Sequence, residues 1–192
     1  MKKTKYILHG GFTRVNNDLN RTFFGEITRD VPDGGTVLLV YFASEQNDDH
    51  EKEKEDEAKL KEQSRGKNLK FLVAIQEDFL RQLAQADAVY IRGGSTEKLL
   101  DTLRTYHDLK SSVEGKTIAG SSAGAYAIAR FGAAHRSEDV REGLGLLPLR
   151  VVCHYESADY PPNPRSLEKL KGTATELDLL LLRDYEWKVI NA

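Results

Sequence analysis

Short apolar segments alternate along the chain with segments in which apolar residues recur every three or four positions. Residues 6–8 and 37–42 are continuous apolar runs beside glycines, a pattern typical of strands buried on both faces of a parallel sheet. Residues 19, 23 and 27 are apolar at a spacing of four, which predicts an amphipathic helix between these strands.

The same alternation continues to the end of the chain. Further strands are predicted at 69–75, 88–91, 117–119 and 151–153, and further helices at 77–85, 97–109 and 125–130. Residues 177–182 and 186–190 flank a polar turn and predict a terminal hairpin. Since strands and helices alternate, we expect an α/β fold with a mainly parallel sheet, in a single domain spanning residues 1–192.

Residues 48–63 are almost all charged, with both signs mixed. We interpret them as a solvated helix stabilised by pairs of opposite charge four residues apart. The alternative is a docking surface for a partner.

Composition narrows the class of protein. The 192 residues are 40% apolar and 30% charged, as in a globular domain with a core of its own, and the formal net charge is −2. This charge gives no electrostatic support for a nucleic acid or an anionic membrane as partner. The single cysteine, Cys153, excludes an internal disulfide framework and fits a reducing compartment.

The expected location is the cytoplasm. The apolar run near the start is too short for a signal peptide, and no segment reaches the ~20 apolar residues of a membrane span. We expect no membrane partner, and either a monomer or a homodimer.

Residues 117–125, Thr-Ile-Ala-Gly-Ser-Ser-Ala-Gly-Ala, contain the sequence G-x-S-x-G between a predicted strand and a predicted helix. In this context the pattern is typical of a nucleophile elbow, a strained turn that presents its central residue at the amino end of a helix. Ser122 is therefore the candidate nucleophile. The alternative is a tight turn without chemistry.

A serine nucleophile needs a base to remove its proton. Of the five histidines, His154 follows the strand predicted at 151–153, so it would emerge at the same sheet edge as Ser122. The acid that orients this histidine is left open. Glu138, Asp139 and Glu142 lie between Ser122 and His154, in the chain order of hydrolase elbows, and Glu138 or Asp139 is the candidate. Glu156 and Asp159, which follow His154, are outside candidates.

The oxyanion of acyl transfer needs two N–H donors. Ala123, directly after the nucleophile, is one candidate, and the Gly93-Gly94 pair after the strand at 88–91 is the other. No paired cysteines, H-E-x-x-H sequence or clustered carboxylates indicate a metal, and we expect no cofactor. Cys153 lies within an apolar strand, where a thiol is usually inert.

Three segments together resemble the peptidase E (alpha-aspartyl dipeptidase) family, to which cyanophycinases are related. Residues 90–96 with Leu99-Leu100 resemble its G-G-G-N-T-x-x-L-L segment, residues 119–125 its G-x-S-A-G-A segment, and residues 143–148 with His154-Tyr155 its G-L-G-L-L-P…H-F segment. The resemblance implies a three-layer α/β sandwich like that of class I glutamine amidotransferases. It also implies a serine peptidase that hydrolyses short peptides, with Ser122 as nucleophile and His154 as catalytic histidine.

The chain departs from the family pattern at two positions. Arg92 stands where the first glycine of the triplet is usual, and Ser95 where asparagine is usual. In the best-known members the substrates are dipeptides with an N-terminal aspartate, so a cation near the substrate is expected. Arg92, Arg130, Arg136 and Arg165 are available for this role, and the sequence does not choose among them; Arg92 is attractive because it adjoins the oxyanion segment.

Two other functions stay open from the sequence. One is a related serine hydrolase that acts on a non-peptide ester or amide. The other is a non-catalytic binding protein of the same fold, which predicts that no carboxylate lies within hydrogen-bond reach of His154.

Overall fold

The computed structural model describes residues 3–44 and 49–192. The strands in these ranges are β1 (Lys5–His9), β2 (Thr36–Val40), β3 (Lys70–Val73), β4 (Ala88–Ile91), β5 (Thr117–Ser121), β6 (Ala129–Ala133), β7 (Val140–Glu142), β8 (Leu147–Val152), β9 (Asp178–Leu181) and β10 (Trp187–Asn191). The helices are α1 (Asp18–Thr28), α2 (Asp49–Glu62), α3 (Phe79–Gln85), α4 (Thr96–Leu103), α5 (Leu109–Ser112), α6 (Ala123–Ile128) and α7 (Pro164–Gly172). Among the described helices, none has both the length and the apolar character needed to cross a membrane.

The strands form two sheets. The first has the order β10-β1-β5-β4-β2-β3 and is parallel except for β10, which pairs antiparallel with β1. The second has the order β7-β6-β8-β9, in which β8 is parallel to both its neighbours and β7 is antiparallel to β6. The expected mainly parallel α/β architecture is confirmed.

Side chains of the first sheet alternate between two buried clusters. On β2, Val37 and Leu39 belong to the cluster that includes residues of α1 and α2, whereas Leu38 and Val40 belong to the cluster that includes residues of α3 and α4. Helices therefore cover both faces of the sheet, which is the three-layer sandwich that continuous apolar strands predict.

The parallel register brings the carboxyl ends of β1, β4 and β5 to one edge. His9 of β1 lies opposite Ser121 of β5, and Ile91 of β4 lies opposite Gly120. The segments that follow these strands therefore meet outside this edge, where ligands bind in open α/β sheets.

The structure corrects the predicted terminal hairpin. β9 pairs with β8 in the second sheet and β10 with β1 in the first, so the segment between them crosses from one sheet to the other. β9 is the edge strand of the second sheet and β10 the edge strand of the first, so each pairs with a strand other than its neighbour in the sequence.

Two helix predictions are also corrected, and the structure contains one helix that the sequence analysis did not predict. The helix predicted at 97–109 ends at Leu103, and α5 follows as a separate turn. The helix predicted at 125–130 is α6, which begins at Ala123 and gives way to β6 at Ala129. α7 was not predicted, although Asn163 caps its first turn and Pro164 occupies its first position, where a missing N–H costs no hydrogen bond.

Candidate active site

Ser122 occupies a sharp turn between β5 and α6. Its φ of 49° and ψ of −105° are unusual for a residue with a side chain. The packing around the turn leaves no room for larger neighbours: a Cβ on Gly120 would lie 2.4 Å from the carbonyl carbon of Gly124, and one on Gly124 would lie 2.2 Å from the carbonyl oxygen of Ile91. The elbow geometry is thus imposed by close strand–helix contact, and it presents the Ser122 hydroxyl at the sheet edge.

His154 reaches this hydroxyl from the second sheet. It follows β8, and its Nε2 lies 3.2 Å from Ser122 Oγ. Its backbone N–H donates to the Gly10 carbonyl after β1. Gly11 lies against the imidazole so closely that a Cβ there would be 2.0 Å from Cε1. The first-sheet loop therefore fixes the position of a ring that belongs to the second sheet.

The carboxylate that contacts His154 is Asp184, in the crossing between β9 and β10. Its Oδ1 lies 2.7 Å from His154 Nδ1. Because an ionised carboxylate only accepts hydrogen bonds, Nδ1 carries the proton and Nε2 is free to accept from the Ser122 hydroxyl. This is the tautomer that a general base requires.

Glu138 and Asp139, the acids considered from the sequence, do not lie at His154. Glu138 pairs with Arg165 at 2.5 Å and Asp139 with Lys169 at 3.1 Å, both on the exposed surface beside α7. They follow β6, whose carboxyl end is covered by α7, so the chain turns their side chains toward the cations of that helix.

Burial lowers the pKa of His154 below its ordinary value, and the contact with Asp184 opposes this effect. The histidine is therefore neutral at pH 7, as a base must be before it takes a proton.

The predicted oxyanion residues lie beside Ser122 but differ in their hydrogen bonds. The N–H of Gly93 donates to Ser121 Oγ at 3.1 Å. The N–H groups of Gly94 and Ala123 make no hydrogen bond to a described residue. Gly94 has a φ of 155°, and a Cβ there would lie 2.3 Å from the Ala43 carbonyl oxygen. Gly94 and Ala123, rather than Gly93, therefore offer available donors.

Arg92 does not present a free cation to the cavity. Its guanidinium donates to Asp56 at 2.7 Å and to Glu55 at 3.1 Å, and only 7% of its side chain is exposed. Both carboxylates raise the pKa of Arg92 despite its burial. Arg92, which stands where the family pattern has its first glycine, thus connects the turn before Gly93 to α2. Its side chain points back into the protein.

A cavity of about 550 Å³ opens above Ser122 and His154. Its described lining includes one carboxylate, Glu97, and the cationic side chains of Arg14, Lys52, Arg92, Arg136 and Arg141. His135 and Tyr160 stack on one another at its edge, with a ring-centroid distance of 4.3 Å. Of the other arginines named from the sequence, Arg130 pairs with Glu142 outside this lining, as Arg165 does with Glu138.

Two other chemistries find no support in the described residues. No group of three or more His, Cys, Asp or Glu among them could hold a metal ion. Cys153 is buried, and burial raises the pKa of its thiol far above the ordinary value, so it is a poor nucleophile.

The family model of peptidase family S51 matches residues 7–191. The chain belongs to peptidase family S51. The resemblance to peptidase E predicted from three segments is confirmed, and S51 membership supports a serine peptidase. No curated protein matches the sequence.

Two solved structures share the fold of this S51 chain. A peptidase from an acI-B1 Actinobacterium has 22% identity and a TM-score of 0.68, over 98% of this chain and 83% of that one. A protein of Listeria monocytogenes EGD-e named for peptidase E has 17% identity and a TM-score of 0.65, over 99% of this chain and 98% of that one. The expected class I glutamine-amidotransferase-like fold is confirmed.

Asp184 was not among the acids predicted from the sequence, although its place in the sequence indicates a position at a strand end. It comes two residues after the strand predicted at 177–182, and a place just after a predicted strand is also what pointed to His154. The hairpin interpretation placed Asp184 in a solvated turn and so removed it from consideration.

Proposed function

We propose that this S51 chain is a serine peptidase in which Ser122 is the nucleophile, His154 the base and Asp184 the acid. The continuous hydrogen-bonded series from Ser122 Oγ through the imidazole to the Asp184 carboxylate carries this proposal. It combines a nucleophile on a strained elbow, a neutral base and an orienting carboxylate.

The steps follow from this arrangement. His154 Nε2 takes the hydroxyl proton as Ser122 Oγ attacks the peptide carbonyl, and Asp184 stabilises the imidazolium that forms. The N–H groups of Gly94 and Ala123 donate hydrogen bonds to the substrate oxygen and stabilise the negative charge that forms on it. His154 then returns its proton to the leaving amine, which leaves an acyl ester on Ser122, and a water molecule activated by the same histidine hydrolyses that ester.

The substrates that we propose are short peptides, with dipeptides bearing an N-terminal aspartate as the first candidates. The excess of cationic side chains around the cavity supports an acidic substrate. Arg92 adds little to this excess and does not contact the substrate, because Asp56 and Glu55 pair with it and offset its charge.

The non-catalytic alternative is disfavoured by one observation. It requires His154 to have no carboxylate partner, whereas Asp184 lies 2.7 Å from it. Hydrolysis of a non-peptide ester or amide would use the same three side chains. Only a comparison of substrates distinguishes this alternative from a peptidase.

The first experiment is labelling with a fluorophosphonate, which reacts with activated serines. We expect Ser122 to be labelled and the Ser122→Ala variant to be inert. Labelling that persists in this variant would exclude Ser122. Hydrolysis of aspartyl dipeptides, neutral dipeptides and acyl esters would then be compared; turnover of the esters alone would replace the peptidase with the non-peptide alternative.

A further inference from the structure

The turn between β6 and β7 is held rigidly from behind. The Ser166 hydroxyl of α7 accepts from the Ala134 N–H and donates to the Asp139 carbonyl, both at 2.7 Å. Ser166 is buried, and it therefore joins the two ends of the turn at one point. The Ala134 carbonyl accepts in addition from the Asn163 N–H at 2.9 Å.

The outer and inner sides of this turn carry opposite charges. Glu138 and Asp139 face outward to Arg165 and Lys169. His135 and Arg136 line the catalytic cavity. The turn thus presents a cation to the cavity and keeps its carboxylates away from it.

The position of His135 shows which part of the cavity the turn borders. Its ring centroid is 5.5 Å from that of His154. Its Nδ1 donates to the Pro161 carbonyl and its Nε2 accepts from the Tyr126 hydroxyl, each at 3.2 Å, so the ring cannot rotate freely. Burial lowers the pKa of His135 to about 4, so it adds no charge at neutral pH.

The turn therefore lies on the leaving-group side of Ser122. The catalytic histidine of acyl transfer hands its proton to the departing amine, so groups beside that histidine face the departing residue. Gly94 and Ala123 mark the other side, where the oxyanion is held.

Arg136 differs from the other cations of the cavity in its pairing. It is exposed and makes no ion pair or hydrogen bond with the described part of the chain, whereas Arg92 pairs with Asp56 and Arg141 pairs with Glu97. A guanidinium on a fixed turn is suited to bidentate contact with a carboxylate.

We infer that Arg136 binds the α-carboxylate of the departing amino acid and so makes the enzyme select dipeptides with a free carboxyl terminus. This inference rests on the proposed peptidase function. In a dipeptide the α-carboxylate is two bonds from the departing nitrogen. In a longer peptide a neutral amide replaces it, and the charge pairing with Arg136 is lost.

The test compares aspartyl-leucine with its carboxyl-terminal amide. Wild type should have a kcat/KM about 10-fold higher for the acid, the value of one charge-assisted contact. Arg136→Ala should remove this preference by reducing kcat/KM for the acid while changing the amide less than about 2-fold. Arg136→Lys should keep part of the preference. The control is Arg81→Ala, which removes an exposed arginine of α3 outside the cavity.

A binding experiment separates this inference from the proposed function. Titration calorimetry of Ser122→Ala, with and without Arg136→Ala, measures the affinity for the acid and the amide without turnover. Tighter binding of the acid that depends on Arg136 supports the inference even if wild type hydrolyses neither compound, an outcome that would instead contradict the proposed function. Equal binding of acid and amide, or an equal loss of both in Arg136→Ala, would overturn the inference.

Discussion

The imidazole of His154 is fixed by groups from two separate parts of the chain, residues 10–12 and Asp184. Gly10 accepts its backbone N–H, Gly11 lies against one side of the ring, and Asp184 accepts from Nδ1. Phe12 adds an edge contact at a centroid distance of 4.7 Å. The ring therefore has one orientation and one tautomer before any substrate enters, which is the condition for efficient proton transfer.

Replacing Asp184 by asparagine should expose the role of this carboxylate. We expect Asp184→Asn to reduce kcat about 10³- to 10⁴-fold, because the amide favours the wrong tautomer and cannot stabilise the imidazolium. Glu138→Gln, which removes a surface carboxylate paired with Arg165, is the control and should stay near wild type. Comparable losses in both variants would argue against Asp184 as the acid.

The pH profile gives a second measure of the same contact. The active base is the neutral form, so kcat/KM should rise with pH through the His154 pKa and then level off. Burial lowers this pKa, so the midpoint should lie below 6.5. Asp184 raises it, so the midpoint should move to still lower pH in Asp184→Asn. A midpoint that moves upward in the variant would contradict the assigned electrostatics.

How far the sequence predicts individual residues depends on how local their signal is. Ser122 could be predicted because its turn is encoded by adjacent small residues, and His154 because it follows a recognisable strand. Asp184 meets His154 only through the pairing of β9 with β8, which is a long-range property. The burial of Arg92 depends likewise on Asp56, far away in the chain.

At the scale of elements, α2 has two distinct faces. Its outer face carries the i,i+4 pair Glu57–Lys61 that its charge pattern predicts, and the pair Glu55–Lys59 lies at the boundary of the two faces, where Glu55 also contacts Arg92. Its inner face buries Leu60 and Asp56 completely, and Asp56 pairs there with Arg92. A charged residue at the inner position of a charged helix cannot be distinguished in the sequence from its solvated neighbours.

Removing the inner carboxylate should therefore destabilise the protein. We expect Asp56→Ala to lower the free energy of unfolding by about 3 kcal/mol, because the buried Arg92 charge would lose its buried partner and keep only the partly exposed Glu55. Glu57→Ala, on the outer face, should cost about 0.5 kcal/mol or less. Urea unfolding at pH 8 measures both, since burial raises the pKa of Asp56 to about 6 and the carboxylate is ionised there. Equal losses of unfolding free energy in the two variants would show that the buried Asp56–Arg92 pair contributes no more to stability than a surface pair.

At the scale of the whole molecule, the proposed triad spans both sheets. Ser122 follows β5 of the first sheet, His154 follows β8 of the second, and Asp184 lies in the crossing that joins them. The apolar cluster that includes residues of β5, α6 and β8 holds the two sheets together. The alternation of apolar segments predicts the layers of the fold. It does not predict which sheet each strand joins, because the apolar residues of β9 and of β10 are compatible with either sheet.

Acid should destabilise the whole fold before most carboxylates are protonated. His9 is fully buried; its Nδ1 accepts from the Gly11 N–H and its Nε2 donates to Asn20. Burial lowers its pKa from 6.5 to about 4. Below pH 6.5 the His9 imidazole is protonated in the unfolded chain but stays neutral in the folded protein. The free energy of unfolding therefore decreases as the pH falls from 6.5 toward 4, by about 3 kcal/mol for this residue.

Chemical denaturation at a series of pH values measures this loss. His9→Asn should be less stable at neutral pH, but its stability should decline less steeply between pH 6.5 and 4. His135, whose pKa is lowered similarly, accounts for part of the remaining slope. An unchanged slope in His9→Asn would exclude His9 as a source of acid sensitivity.

The crossing that carries Asp184 also bears on when the proposed activity could begin. During synthesis Ser122 and His154 leave the ribosome before Asp184 does. Asp184 lies between two pairings, that of β9 with β8 before it and that of β10 with β1 after it, and β1 is the strand made earliest among those described. On the proposed triad, an incomplete chain would hold the serine and the histidine without the carboxylate, so peptide cleavage would report that the crossing between the two sheets has closed.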